Sequence, residues 1–154
     1  MRQIFYFLTL SVLLLTFGCA HSFILLSPDD LYALGNTYMD RGNYRDAADQ
    51  FERIRQDYPT SEYSTMSQFK LALAEYERGR YDDAAIEFQL FREFHPAHKM
   101  APQAQYYLAM SKFNSLKSPE RDTAVAEEAY LNLTQFLTQY PAHPDYDAVH
   151  QYLV

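Results

Sequence analysis

The chain has 154 residues, enough for one domain, with 13 Lys+Arg against 20 Asp+Glu and a formal net charge of -7. An acidic balance with no basic run argues against nucleic-acid binding, which needs a positive face to neutralise phosphates. Aromatic residues make up 16% of the chain, with 14 Tyr and 11 Phe, and a chain this rich in large apolar rings is not a disordered polymer.

The first element is an address. Arg2 and the chain amine precede an apolar run from Ile4 to Phe17, the layout of a secretory signal. The run ends in Leu15-Thr16-Phe17-Gly18-Cys19. This resembles the bacterial lipobox, in which a small residue fits the narrow pocket of the signal peptidase. The cysteine behind it is acylated and becomes N-terminal. Residues 1–18 therefore read as a lipoprotein signal peptide, Cys19 as the lipidation site and 19–27 as a lipid-anchored linker. The alternative is an uncleaved membrane anchor, because apolar residues resume at Phe23-Ile24-Leu25-Leu26 and bring the run near the ~20 residues that span a bilayer. Cys19 is the only cysteine, so no internal disulfide is available. Ala20, rather than Asp, follows it, and by the sorting pattern that this resemblance implies the destination is the outer membrane.

The rest of the chain is governed by an internal repeat. Ser27-Pro28-Asp29-Asp30 predicts a helix start, with a capping hydroxyl, Pro in the first turn and acids at the positive end of the helix dipole. Arg41-Gly42-Asn43-Tyr44 recurs as Arg78-Gly79-Arg80-Tyr81, and Tyr58-Pro59 recurs as His95-Pro96 and Tyr140-Pro141. Both sets give a period of about 37. A Leu stands twelve residues beyond each of these prolines: Leu71, Leu108 and Leu153. Each unit reads as two helices. The second helices carry the stripes Tyr44, Ala47, Phe51, Ile54, Tyr58; Tyr81, Ala84, Phe88, Phe91, His95; and Ala126, Ala129, Leu133, Phe136, Tyr140. Steps of three and four place each set on one helix face. Gly42 and Gly79 suit the left-handed position that closes a first helix. Ser118-Pro119-Glu120 reads as another helix start. The expected units are 28–59, 60–96 and 97–141, with a partial unit over 142–154. Phe113 to Ala126 is longer than Tyr76 to Tyr81, which predicts a third hairpin loop about eight residues longer. The fourth unit stops inside its first helix with Val149, Tyr152, Leu153 and Val154, which do not form a polar solenoid cap. A truncated chain, or one completed by a partner, is the expectation.

Leu31, Leu34-Gly35, Tyr38, Ala47, Phe51 and Pro59 resemble the tetratricopeptide repeat, with looser copies following at Ala72, Ala84, Phe88 and Pro96. The resemblance implies an all-α, right-handed solenoid of antiparallel helix pairs, about three and a half repeats long. Gly35 and Ala47 fall where two helices cross closely. The lipobox, the repeat length and the connections Tyr58-Pro59-Thr60-Ser61-Glu62-Tyr63 and Phe94-His95-Pro96-Ala97-His98 together resemble the BamD/ComL family of outer-membrane protein assembly lipoproteins. That resemblance covers the N-terminal part of the family's five-repeat length. It implies an anchored protein facing the periplasm, with β-barrel assembly complex subunits and unfolded outer-membrane proteins as partners. It also implies that the N-terminal repeats receive an aromatic-rich signal. An envelope scaffold of the same fold that binds folded cell-wall or division proteins is the alternative.

First helices line the concave face of such a solenoid. Stepping by the repeat gives Tyr32, Phe69 and Tyr106; Asn36, Leu73 and Met110; and Met39, Tyr76 and Phe113. These nine predict an aromatic, methionine-bearing peptide groove. Packing between helices is the competing reading for several of them, Tyr76 and Phe113 above all. His95, His98 and His143 invite a metal, but His95 stands in an aromatic position and no Cys or carboxylate cluster joins them. Asp82-Asp83 and Glu127-Glu128 read as solvated acids at helix starts. No Gly-rich phosphate loop or nucleophile motif is present. A non-enzymatic protein with no cofactor and no metal, apart from the covalent lipid on Cys19, is expected.

Overall fold

A computed structural model describes residues 25–116 and 123–153. All regular elements among them are helices: α1 (Pro28–Asp40), α2 (Tyr44–Asp57), α3 (Ser64–Glu77), α4 (Tyr81–Phe94), α5 (Ala101–Ser115), α6 (Thr123–Gln139) and α7 (Tyr146–His150). Each packs against the next, and α3 also touches α5. The fold is a tetratricopeptide-like helical solenoid.

Local chemistry sets the element ends. Ser27 caps α1, its Oγ accepting from the Asp30 N–H at 3.2 Å, with Pro28 in the first turn. Gly42 and Gly79 have φ of 70° and 76°. Each closes a first helix in the same way. Gly42 N–H donates to Met39 O and Asn43 N–H to Tyr38 O, while Gly79 N–H donates to Tyr76 O and Arg80 N–H to Glu75 O. These paired bonds satisfy carbonyls that a helix end leaves open, and the left-handed residue between them has no Cβ to strain. Tyr58, His95 and Tyr140 follow the three second helices, each N–H donating to the carbonyl four residues back. The third hairpin differs from the expected length. α6 begins at Thr123, so the connection from α5 is 116–122, against 41–43 and 78–80 in the first two units. The run Thr123-Ala124-Val125-Ala126 extends α6 backwards, so part of the extra chain is helix rather than loop. Ala126 is consequently exposed, and the buried stripe of α6 starts at Ala129. Ser118-Pro119-Glu120 lies outside the described residues.

The core has three clusters, each made by one helix pair and the first helix that follows it. Leu31, Ala47, Phe51 and Ile54 of the first pair close against Leu71 and Ala74 of α3. Phe69, Ala72, Ala84, Phe88 and Phe91 close against Ala104 and Leu108 of α5. Ala109, Met110, Leu133, Phe136 and Leu137 close against Val149 of α7. Leu71 and Leu108, marked in the sequence by their distance from Pro, are thus the inter-unit contacts. Burying these stripes drives the stacking, because one pair alone leaves an apolar face wet.

The small residues of the first helices have a steric reason. A Cβ built on Gly35 would lie 2.7 Å from the Phe51 ring, and Phe51 has no exposed surface. Ala72 and Ala109 occupy the same place in the next two units and are wholly buried.

This arrangement corrects two of the nine groove assignments. α3 and α5 are each sandwiched between the second helix before them and the one after. Phe69 and Met110 point into those sandwiches and are only 3% and 6% exposed. The Phe69 ring centroid sits 5.5 Å from Phe88, 5.4 Å from Phe91 and 6.4 Å from Tyr107. Both residues are core, out of reach of a surface ligand.

Where α2, α3 and α4 meet lies a furrow of about 260 Å³ with Glu52, Arg55, Glu75, Arg80 and Glu87 on its walls. Arg55 pairs with Glu52 at 2.7 Å, and Arg80 reaches Glu75 at 3.3 Å and Asp83 at 2.6 Å. The Glu52 carboxyl is held below its ordinary value by its hydrogen bond from Arg55. Glu87 differs: burial pushes its carboxyl up, and its shielded Oε2 accepts no hydrogen bond among the described residues.

Three variants test this packing by urea denaturation and thermal melting. Phe69→Ala should cost about 3 kcal/mol, the scale of emptying a buried ring site. Gly35→Val should cost about 2 kcal/mol by overpacking against Phe51. An unchanged midpoint for Phe69→Ala would return that ring to the surface. Native Glu87 takes up its proton at a higher pH than the unfolded chain does, so the penalty this group imposes is relieved as pH falls through its native value. Glu87→Gln should therefore melt higher at pH 7, with the advantage shrinking toward pH 4; an offset equal at both pH values would contradict the burial penalty.

Candidate functional site

The other seven predicted groove residues, Tyr32, Asn36, Met39, Leu73, Tyr76, Tyr106 and Phe113, are half-buried on the first helices. They form two aromatic groups rather than three even rows.

The first group surrounds Tyr32 on α1. Its ring lies 5.9 Å from Phe51 and 4.9 Å from Tyr63. Tyr63 enters from the connection before α3, and its hydroxyl donates to Asp29 Oδ1. That bond to a carboxylate pushes the Tyr63 hydroxyl up to about 12. Met39 packs on the edge of the first core cluster. Asn36 spends one amide N–H on the carbonyl of Tyr32, at 2.9 Å.

The second group centres on α3 and α5, with rings from α4, from α6 and from the segments on either side of α7. The Tyr76 ring lies 5.4 Å from Tyr81 and 5.1 Å from Tyr107. Tyr106 lies 5.7 Å from Phe136 and stacks on His143 at 5.8 Å. Phe113 lies 4.5 Å from Tyr152. Leu73 packs on the second core cluster. Asn114 Nδ2 donates to the Tyr76 hydroxyl at 2.9 Å and bridges α3 and α5. Burial, more than any neighbour, pushes the Tyr76 and Tyr106 hydroxyls up to about 12. Both stay protonated at neutral pH and serve as neutral donors and acceptors. Asp145 adds to the rise at Tyr106. With Asp29 beside one group and Asp145 beside the other, the surface suits neutral aromatic or aliphatic side chains better than carboxylates.

Tyr63, Tyr81, Asn114 and Tyr152 were not among the nine. Tyr63 lies in the connection before α3 and Tyr152 just past the end of α7, and neither falls in the three rows that stepping by the repeat gives. Tyr81 opens a second helix and belongs to the predicted stripe of that helix. Asn114 adjoins Phe113 on the same helix, and its polarity hid it among apolar rows.

The histidines close unit junctions. His98 and His143 each accept a backbone N–H at Nδ1, from Met100 and Asp145, both at 3.2 Å. His143 Nε2 is therefore the donor to Gln103 Oε1, 3.1 Å away. His95 Nε2 is 3.2 Å from Gln68 Oε1. Burial, helped by the neighbouring His98, lowers His95. Nδ1 of His98 and of His143 closes a turn, while Nε2 of His95 and of His143 reaches a glutamine of a first helix.

The expected signal peptide over 1–18 and the expected lipidation site Cys19 lie outside the described residues. Among those described, no helix is long and apolar enough to cross a membrane. A comparison with curated proteins finds no match. The family model described as "YfiO: Outer membrane lipoprotein" matches residues 26–151, which takes in every described helix. By that match, over most of its length, the chain belongs to the YfiO family of outer membrane lipoproteins.

Proposed function

We propose that this chain is a lipid-anchored component of the machinery that assembles β-barrel proteins in the outer membrane. Acylated Cys19 holds it on the periplasmic side, and the first-helix surface of its repeats takes hold of unfolded barrel precursors. Partner subunits of the assembly complex are the second class of ligand. The observation that carries this reading is the family match over residues 26–151. The lipobox ending at Cys19 supports the anchor, and two acyl chains suffice to hold a protein durably on a bilayer. Support for the precursor comes from the surface itself. Tyr32, Tyr76, Tyr106 and Phe113 are half-buried, so each offers a ring edge or face while its other side is fixed by packing. Preset rings lose little entropy on binding, which favours a weakly structured ligand that must order itself. An extended segment with alternating aromatic residues presents side chains at the spacing that a row of such rings accepts.

Two measurements test the reading. Labelling with radioactive palmitate should mark the wild type and not Cys19→Ser, and the variant should leave the outer-membrane fraction for the soluble periplasm. Retention of Cys19→Ser in the membrane would favour an uncleaved leader. A pull-down from solubilised envelopes with the anchored chain should recover barrel precursors or assembly subunits. Recovery of cell-wall or division proteins alone would replace the assembly role with a scaffold.

A further inference from the structure

A side-chain hydrogen bond joins α3 and α5 on the half-exposed surface, from Asn114 to Tyr76. Several observations set it apart from a packing clip. Its partners are half-buried rather than core. Tyr76 stands against two aromatic rings, Tyr81 at 5.4 Å and Tyr107 at 5.1 Å. The repeat does not need the bond: one unit earlier, the equivalent positions on α1 and α3 hold Met39 and Glu77, and those helix pairs stack by the same core pattern. Its hydrogen-bonding arithmetic is also incomplete. The Tyr76 oxygen accepts from Asn114, which leaves the phenol O–H to donate. Asn114 uses one N–H, which leaves its second N–H and the acceptor Oδ1. A donor and an acceptor, held side by side in an aromatic wall, complement the C=O and N–H of an extended peptide, which carries one of each per residue and needs both met when water is excluded.

We propose that Tyr76 and Asn114 form a main-chain reading pair: the Tyr76 hydroxyl donates to a backbone carbonyl of the bound segment, and Asn114 Oδ1 accepts a backbone N–H. The ligand class is an extended polypeptide whose aromatic side chains pack on the flanking rings. This rests on the peptide-binding reading above. The pair fixes the register and depth of the strand, while the rings supply most of the contact area. Sequence tolerance follows, because every residue except proline offers the same backbone groups.

The test uses the full anchored chain in detergent and a ten-residue synthetic peptide of alternating polar and aromatic residues ending in Phe. A second set of peptides carries a single N-methyl group, moved along the backbone. Tyr76→Phe keeps the ring and removes the donor; Asn114→Ser is the second variant, and helicity and melting midpoint are recorded for both. Wild type should bind the unmodified peptide, and N-methylation at one position should weaken it about fivefold, the scale of one neutral hydrogen bond. Tyr76→Phe should weaken the unmodified peptide by a similar factor with helicity unchanged. In Asn114→Ser, N-methylation at that same position should have no further effect. If wild type binds and both variants bind as tightly, with the same N-methyl profile, the reading pair is overturned while peptide binding stands. If wild type binds no peptide, the peptide-binding reading falls and the pair falls with it.

Discussion

The contact between Phe51 and the bare backbone at Gly35 is the constraint on which the solenoid depends. The first helix must approach the second closely enough for a phenyl ring to lie under its backbone, and only a very small side chain allows this. Ala72 and Ala109, one and two repeats on, are likewise small and wholly buried. Once the two helices of a pair are locked at that distance, the remaining apolar edge has one way to be covered, by the first helix of the next pair. Leu71, Leu108 and Val149 supply that cover.

That mode of closure decides what is left for function. A first helix inside the stack is flanked by two second helices, and most of its circumference is consumed. α3 buries Ser67, Phe69, Leu71, Ala72, Ala74 and Glu75, and α5 buries still more of its length. What remains of each is mostly half-buried rather than fully exposed. This strip carries Leu73 and Tyr76 on α3, and Tyr106, Phe113 and Asn114 on α5, all half-buried. Such residues are rigid because their inner sides are packed, and available because their outer sides are not. The acids near them, Asp29 and Asp145, turn the strip toward neutral ligands. The proposed role of holding incompletely folded chains is favoured by such a surface, since a rigid aromatic wall does not have to be ordered at the moment of binding.

Much of this was legible in the residues. The helix boundaries followed from Ser27-Pro28, from the glycines at 42 and 79 and from the Pro that follows each second helix. The second-helix stripes were correct at Ala47, Phe51, Ile54 and at Ala84, Phe88, Phe91, because a helix packed on one side keeps a clean 3.6-residue period. The first helices were harder. A helix packed on two sides loses its single stripe, so periodicity cannot separate core from groove, and Phe69 and Met110 were placed on the wrong side. Stepping by the repeat also assumes equal side-chain directions in every unit. Phe69 breaks that assumption: Tyr32 keeps one side in solvent, whereas Phe69 turns wholly into the cluster with Phe88 and Phe91. The third hairpin misled for a different reason. Spacing counts residues between motifs but does not say whether the extra ones coil or extend a helix, and in α6 a run of Thr, Ala and Val lengthened the helix. The Tyr76–Asn114 bond was invisible because it joins positions of different type in neighbouring units.

The central claim, that the first-helix strip is where unfolded outer-membrane proteins are held, can be tested in intact envelopes. A photo-crosslinking amino acid placed at Tyr106 samples the strip, and one at Tyr130, which is 57% exposed on α6, samples a second helix. The account predicts that irradiation captures barrel precursors at position 106 and not at position 130. Capture at 130 with none at 106 would move the working surface to the second helices and contradict the account.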